Sequence, residues 1–282
     1  MYTGRSRSRG VSSTSAIRWA SGNHEVLGDK THDVSGIYHA PFWARVHAFV
    51  TAGLADLDST GRLLVISPHL DDAVFSCEAL LKFAGDARVF TIFGGDAPQG
   101  APIAKWDLQC GFTVGTNVME ARRNEDAQAL GVLGAVPIWG TELQEGYRAD
   151  PPDDDHVTKL IIEAITTNAP SHVVFPLGLS HTDHLLVASA TGAAVRALEV
   201  SDAFVYAERP YAQRRPGVVK HRCAELRAQG VELSTAVLSR RAPRGDRSAI
   251  RCYPSQLRGL RMSAFRMGWF RERYWQVSWR DE

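Results

Sequence analysis

The sequence lacks any run approaching the roughly 20 consecutive apolar residues that span a bilayer, so no membrane helix is expected. Its basic, polar start, MYTGRSRSRG, is followed by no apolar segment of the secretory-signal kind. Cysteine is scarce. Cys77, Cys110, Cys223 and Cys252 lie far apart and form no CxxC pair, which excludes a disulfide scaffold and favours reduced thiols in a cytoplasmic protein. Neither charge sign dominates. With 32 Lys and Arg against 31 Asp and Glu, the net charge of +1 provides no global field to draw nucleic acid or a membrane surface. There is no GxSxG, no P-loop and no internal repeat. Gly94-Gly95-Asp96 is not a GxGxxG, which argues against a dinucleotide site.

What is present is the material of a globular core: 44% of the 282 residues are apolar and 22% charged. Residues 1–40, rich in Ser, Gly and Arg, read as a poorly ordered lead-in. A weak helical pattern follows at 41–56 (Phe42, Val46, Phe49, Val50, Leu54). Strands and helices then alternate. Leu63–Ile66, Val89–Phe93, His172–Phe175 and Ala203–Tyr206 are short apolar runs of the kind buried on both sheet faces. A helix capped by Asp71 or Asp72 is expected to end near Ala84, with Gly85 behind it. Asn117 and Glu120 resemble a capping box opening a helix that ends at Gly131. Two more helices are expected, one after Asp153-Asp154-Asp155 and one from about Thr182 to Leu198. Residues 94–115 form a long loop with no period, bearing Trp106 and Phe112, and they are expected to shape a pocket. This alternation predicts an α/β fold: a mostly parallel, Rossmann-like sheet with helices on both faces. The core is expected at 41–215, and 216–282 as a C-terminal helical and strand extension packed on it.

Open sheets of this kind place their crevice beyond the carboxyl ends of the strands. Two clusters fall there: Ser67-Pro-His-Leu-Asp-Asp72 and Ser180-His-Thr-Asp-His184. Taken alone, paired aspartates before a helix are caps, and a lone His-x-x-His is surface decoration. Taken together they can converge on one ion. Zinc accepts imidazole nitrogen and carboxylate oxygen, and a catalytic site keeps one position open beside three protein ligands. His69, Asp72 and His184 can supply those three. Asp71 and His181 then flank the open position, Asp71 to take a proton from an activated water and His181 to stabilise an oxyanion or protonate a leaving amine. Residues three apart on a helix share a face, so both histidines can also ligate.

Pro68-His69-Leu70-Asp71-Asp72 and His181-Thr182-Asp183-His184 resemble the two motifs of the PIG-L/LmbE-like deacetylases, zinc-dependent enzymes that remove acetyl from N-acetylated amino sugars. The resemblance implies His69, Asp72 and His184 as metal ligands, Asp71 as general base and His181 as acid or oxyanion-stabilising residue. Arg122-Arg-Asn-Glu125 with Ala129-Leu-Gly131 looks like a family helix whose arginine reaches substrate hydroxyls, a substrate-binding role carried to Arg122. Phe175-Pro-Leu-Gly178, Glu208-Arg-Pro-Tyr211 and Tyr253-Pro-Ser-Gln256 extend the likeness over roughly residues 60–275. The implied cofactor is Zn2+, with Fe2+ as the alternative. The implied partner is a small-molecule conjugate of an N-acetyl amino sugar of the N-acetylglucosaminyl type, with no nucleic acid or membrane partner. Another metal-dependent amidase or esterase, or a non-catalytic binding module, would use the same frame.

The stretch 240–282 holds eleven Arg against four acidic residues, with Trp269, Tyr274, Trp275 and Trp279 interleaved. Basic aromatic tails can bind nucleic acid. Leu257, Leu260, Phe265 and Trp269 instead suggest a helix packing on the body. Cys77, inside the helix after the first motif, is expected to be packed and inert.

Overall fold

The computed structural model describes residues 61–215, 217–236, 247–269 and 271–280. The lead-in at 1–40 and the helical pattern at 41–56 lie outside the described residues.

Chain order is β1 (Arg62–Ser67), α1 (Asp72–Phe83), β2 (Asp86–Thr91), α2 (Lys105–Gln109), α3 (Val118–Leu133), β3 (Val136–Trp139), α4 (Asp154–Asn168), β4 (His172–Pro176) and α5 (Thr182–Ala197). It continues through β5 (Ala203–Tyr206), α6 (Tyr211–Arg214), α7 (Val218–Ala228), β6 (Val231–Ala236), α8 (Pro254–Leu260), α9 (Ala264–Met267) and β7 (Tyr274–Trp279). Single 3-10 turns lie at Glu145–Tyr147 and Ile250–Cys252.

One seven-stranded sheet runs β3-β2-β1-β4-β5-β7-β6. The first five strands are parallel, and β7 is antiparallel to both β5 and β6. The chain winds from β1 outward to β3, then crosses back to start β4 on the other side of β1. The strand order therefore reverses between β1 and β4, where doubly wound sheets open their crevice.

β1 lies inside the sheet, between β2 and β4, because both of its faces are apolar. Leu63 and Val65 pack into one core cluster with Val89 and Phe204, and Leu64 and Ile66 into the other with Phe90, Val173 and Phe175. α3 starts as its sequence signals: Asn117 Oδ1 accepts from Glu120 N at 3.3 Å, and Asn117 Nδ2 donates to Glu120 Oε2 at 2.9 Å. It runs past Gly131 to Leu133, closed by Gly134 at φ 72°. α1 ends on an extended Ala84, so Gly85 has no left-handed capping role there.

The expected 257–269 packing helix is two short helices instead. Arg261, in the left-handed region at φ 52°, ends the first of them. Leu257 and Leu260 pack against the core, whereas Phe265 and Trp269 turn outward, 51% and 62% exposed.

Asp126 on α3 is buried and accepts from Trp139 Nε1 (2.8 Å) and Tyr253 Oη (2.7 Å), joining α3, β3 and the C-terminal region. Burial pushes its carboxyl up to about 6, while the Trp139 and Tyr253 hydrogen bonds favour its charged form. Tyr253→Phe strands one of its oxygens and is expected to lower the unfolding free energy by about 1–3 kcal/mol in urea titrations.

Candidate active site

The site forms where β1 and β4 end. Leaving β1, Ser67 turns its hydroxyl into the loop, donating to His69 O (2.7 Å) and accepting from Ala73 N (3.1 Å). Ser67 thereby satisfies an amide at the start of α1, and the Asp71 side chain makes no capping bond. The capping reading of the aspartate pair gives way for a physical reason: an upstream hydroxyl does that work and leaves both carboxylates for other contacts. Asp72 turns inward. Its Oδ2 accepts from His69 N (3.0 Å) and lies 3.1 Å from His69 Nδ1 and 3.2 Å from His184 Nε2.

The second cluster arrives on the turn Leu177–His181. Gly178 sits at φ 85°, and a Cβ there would meet Ala188 Cβ at 2.9 Å, so only glycine fits. Ser180 is also left-handed, at φ 66°. The turn delivers His181 as the cap of α5, its Nδ1 accepting from Asp183 N at 3.1 Å. With Nδ1 accepting, the proton of the neutral ring sits on Nε2, which lies 3.2 Å from Glu145 Oε2. His184, 0% exposed, lies one turn further inside. The centroids of the His69, His181 and His184 rings are 5.3–5.6 Å apart, so the two motifs meet.

Two buried carboxylates outside the predicted set orient the imidazoles. Asp183 Oδ2 lies 2.9 Å from His69 Nε2, and Arg148 pairs with the same carboxylate. Arg148 also bonds Leu143 O (2.7 Å) and lies over the Phe93 ring, with Cζ 4.7 Å from the centroid. Glu208, at the end of β5, accepts through Oε1 from Gly178 N (2.8 Å) and Leu179 N (2.7 Å) and lies 3.3 Å from His184 Nδ1. Each histidine thus has one ring nitrogen tied to a carboxylate, and the other, His69 Nδ1 or His184 Nε2, turns to Asp72. The sequence signal for Glu208 was its place just past a buried strand. Nothing local marked Arg148.

Two candidate cation clusters exist among the described residues: His69, Asp72 and His184, and His69, His181 and Asp183. Chemistry separates them. His184 Nε2 is buried with no properly directed hydrogen-bond partner, as a donor atom reserved for a ligand would be. Asp183 is already engaged by Arg148 and His69. The 3.1–3.2 Å separations around Asp72 Oδ2 also suit a cation bound at about 2.0–2.2 Å. Of the two, the first cluster is the one whose residues fit a divalent ion.

Charges follow this arrangement. Burial works against the Asp72 carboxylate, but His184 and His69 hold its pKa well below the usual range. Burial and the neighbouring Asp72 charge raise Asp71 to about 7. His181 is lowered by burial and by His69. Burial opposes protonation of His184, yet the Asp72 and Glu208 carboxylates lift it to about 10.

Arg122 is buried rather than reaching into open space: Nη1 donates to Gln144 Oε1 at 2.5 Å and lies 3.8 Å from Asp107 Oδ1. Asp107, on α2 within the long loop, also accepts from Tyr147 Oη (2.8 Å). Asp107 Oδ1 and Arg122 Nε are buried without hydrogen-bond partners. Cys77 is fully buried, and burial pushes its thiol well above the ordinary range, so it is inert.

Comparison with known proteins agrees with the geometry. Residues 64–195 match the family model for GlcNAc-PI de-N-acetylase, PIG-L. A 2'-N-acetylparomamine deacetylase of Streptomyces fradiae is 29% identical over 177 residues, 56% of this chain and 60% of that protein. The match therefore spans less than two thirds of the relative. The zinc-inhibited form of teicoplanin deacetylase superposes with a TM-score of 0.66 at 25% identity, covering 78% of this chain and 99% of that one. A triple mutant of the deacetylase of the teicoplanin pathway gives 0.64 at 28% identity over the same shares.

The His184 value carries a direct expectation. A folded-state pKa near 10 keeps the ring doubly protonated from acid through neutral pH, the second proton leaving only as pH rises through about 10. In metal-free protein at pH 7, nitrogen NMR should show both His184 ring nitrogens protonated; a neutral-ring pattern would contradict the Asp72–His184–Glu208 arrangement. Residues 64–195, the stretch that matches the PIG-L family model, hold every site residue described above except Glu208.

Proposed function

We propose that the protein is a metal-dependent N-deacetylase that removes acetyl from an amino sugar of the N-acetylglucosaminyl type carried on a small glycoside or natural product. The observation that carries this reading is the convergence of His69, Asp72 and His184, with His184 Nε2 3.2 Å from Asp72 Oδ2 but without a directed hydrogen bond, beside an Asp71 whose side chain makes no capping bond. The deacetylase relatives, named for paromamine and teicoplanin, support the amino-sugar substrate.

In this reading His69, Asp72 and His184 hold the ion, Zn2+ with Fe2+ as the alternative, and 41–215 is the catalytic core completed by 216–282. When bound, the ion supplies Lewis acidity that polarises the acetyl carbonyl and acidifies water. The chain does the rest. The Asp71 carboxylate takes a proton from the attacking water, whose oxygen adds to the acetyl carbon. His181 donates its Nε2–H, which otherwise faces Glu145 Oε2 at 3.2 Å, to the oxygen that becomes negative. The C–N bond then breaks, and the amine nitrogen takes up the proton held by Asp71. One amide and one water become one amine and one acetic acid. Asp107 Oδ1 and Arg122 Nε, both buried without hydrogen-bond partners, are the polar atoms this reading assigns to the sugar hydroxyls. The four cysteines, all free, fit a cytoplasmic place of action.

Variants separate the roles. His69→Ala, Asp72→Ala and His184→Ala should each lose metal. Asp71→Asn should keep it and lose about 10²–10⁴-fold in kcat, read by mass-spectrometric release of one acetyl from acetylated amino-sugar conjugates. Full activity in Asp71→Asn, or in protein stripped of metal by chelation, would overturn the reading. Loss of the ion in His181→Ala would make His181 a ligand. Because the Asp71 base must be ionised, kcat/KM should rise with pH through an apparent pKa at or below about 7, a limb that Asp71→Asn abolishes.

A further inference from the structure

α1 is broken. Cys77, five residues after Asp72, has non-helical φ −132° and ψ 25°, which kinks the helix there. Glu272, just before β7, fills the gap: Oε1 accepts from Ala79 N (2.8 Å) and Oε2 from Leu80 N (3.3 Å). Tyr274 Oη donates to the same carboxylate at 2.6 Å.

Arg209 approaches the break from the other side. Its backbone N donates to Ser76 Oγ (3.1 Å), and its guanidinium donates to Ser76 O (3.3 Å), Met267 O (3.0 Å) and Glu272 Oε1 (3.2 Å). Ser76 and Arg209 are buried, and the Glu272 side chain is 8% exposed. Arg209 directly follows Glu208, which sits against His184. The contacts close a ring: Asp72 through the first turn of α1 to Ser76, across to Arg209, along the chain to Glu208, then to His184 and back to Asp72.

A buried ion pair seldom stabilises a fold more than an apolar pair of equal volume, and an interrupted helix forfeits backbone bonds. Here both sit where the segment leaving β5 with Glu208 meets the helix that begins at Asp72. We propose that Arg209 and Glu272 are positioning residues: their ion pair, wedged into the break in α1, sets the separation between Asp72 and His184 and hence the affinity for the ion. The C-terminal segment leading into β7 thus belongs to the metal centre although it contributes no ligand. The proposal rests on the metal-dependent reading above.

The test measures zinc affinity by competition with a chelating dye, beside thermal stability of the metal-free protein, for the full chain and three variants. Glu272→Gln keeps the shape and removes the charge, and Ser76→Ala removes the acceptor for the Arg209 amide. Leu133→Ala weakens the fold from the far end of α3. Glu272→Gln should raise the dissociation constant about tenfold or more; Ser76→Ala should shift it in the same direction, and Leu133→Ala should leave it unchanged despite a lower Tm. Wild-type zinc affinity in a folded Glu272→Gln, or equal weakening in Leu133→Ala, would overturn the proposal. An unaltered protein that binds no divalent cation would remove the metal reading itself, and the clamp with it.

Discussion

The site depends on one oxygen. Asp72 Oδ2 lies within 3.2 Å of a backbone amide and two imidazole nitrogens, one from each of two chain segments over a hundred residues apart. Such a carboxylate cannot be buried without compensation, because an unpaired charge away from water costs several kcal/mol. The sheet supplies that compensation by geometry. β1 and β4 are adjacent and parallel, so the loops leaving their carboxyl ends must meet, and both loops carry histidine. The same oxygen that stabilises the metal-free site is the one a cation would take, since a bound ion replaces imidazolium as the positive neighbour.

A second layer of carboxylates orients the imidazoles. Asp183 behind His69 and Glu208 behind His184 each engage one ring nitrogen, turning the other toward Asp72. Burial opposes ionisation of Asp183, but His69 and Arg148 hold it at about 2, a fixed negative charge throughout the neutral range. Orientation of ligand histidines by backing carboxylates is a general way of tuning a metal centre. Asp71 differs because its side chain makes no capping bond: that role falls to Ser67, and the Asp71 charge is opposed by burial and by Asp72. A carboxylate with a proton affinity near neutrality is what a general base requires.

The parts of this arrangement that depend on local pattern were legible in the sequence. β1, β4 and β5 are short apolar runs bounded by turn residues, and α3 carries its own capping box, so the parallel frame and the two histidine loops followed from them. β3, β6 and β7 did not show. β3 and β6 lie at the sheet edges with partly exposed faces, and β7 follows a basic stretch that reads as a helix. The tail was misjudged because one left-handed residue, Arg261, splits the apolar stripe and turns Phe265 and Trp269 outward. The supporting residues were hidden for another reason. Glu208, Arg148 and Asp107 act through contacts that only tertiary structure creates, and no spacing rule places a glutamate behind a histidine 24 residues away. Arg122 was visible as a candidate, but not its burial against Gln144 and Asp107.

The most direct measurement is an anomalous-scattering map at the zinc absorption edge from crystals grown with the ion. A single strong peak bonded to His69 Nδ1, Asp72 Oδ2 and His184 Nε2 at about 2.0–2.2 Å is the predicted result. A peak held instead by His181 and Asp183, or no peak at either cluster, would contradict it.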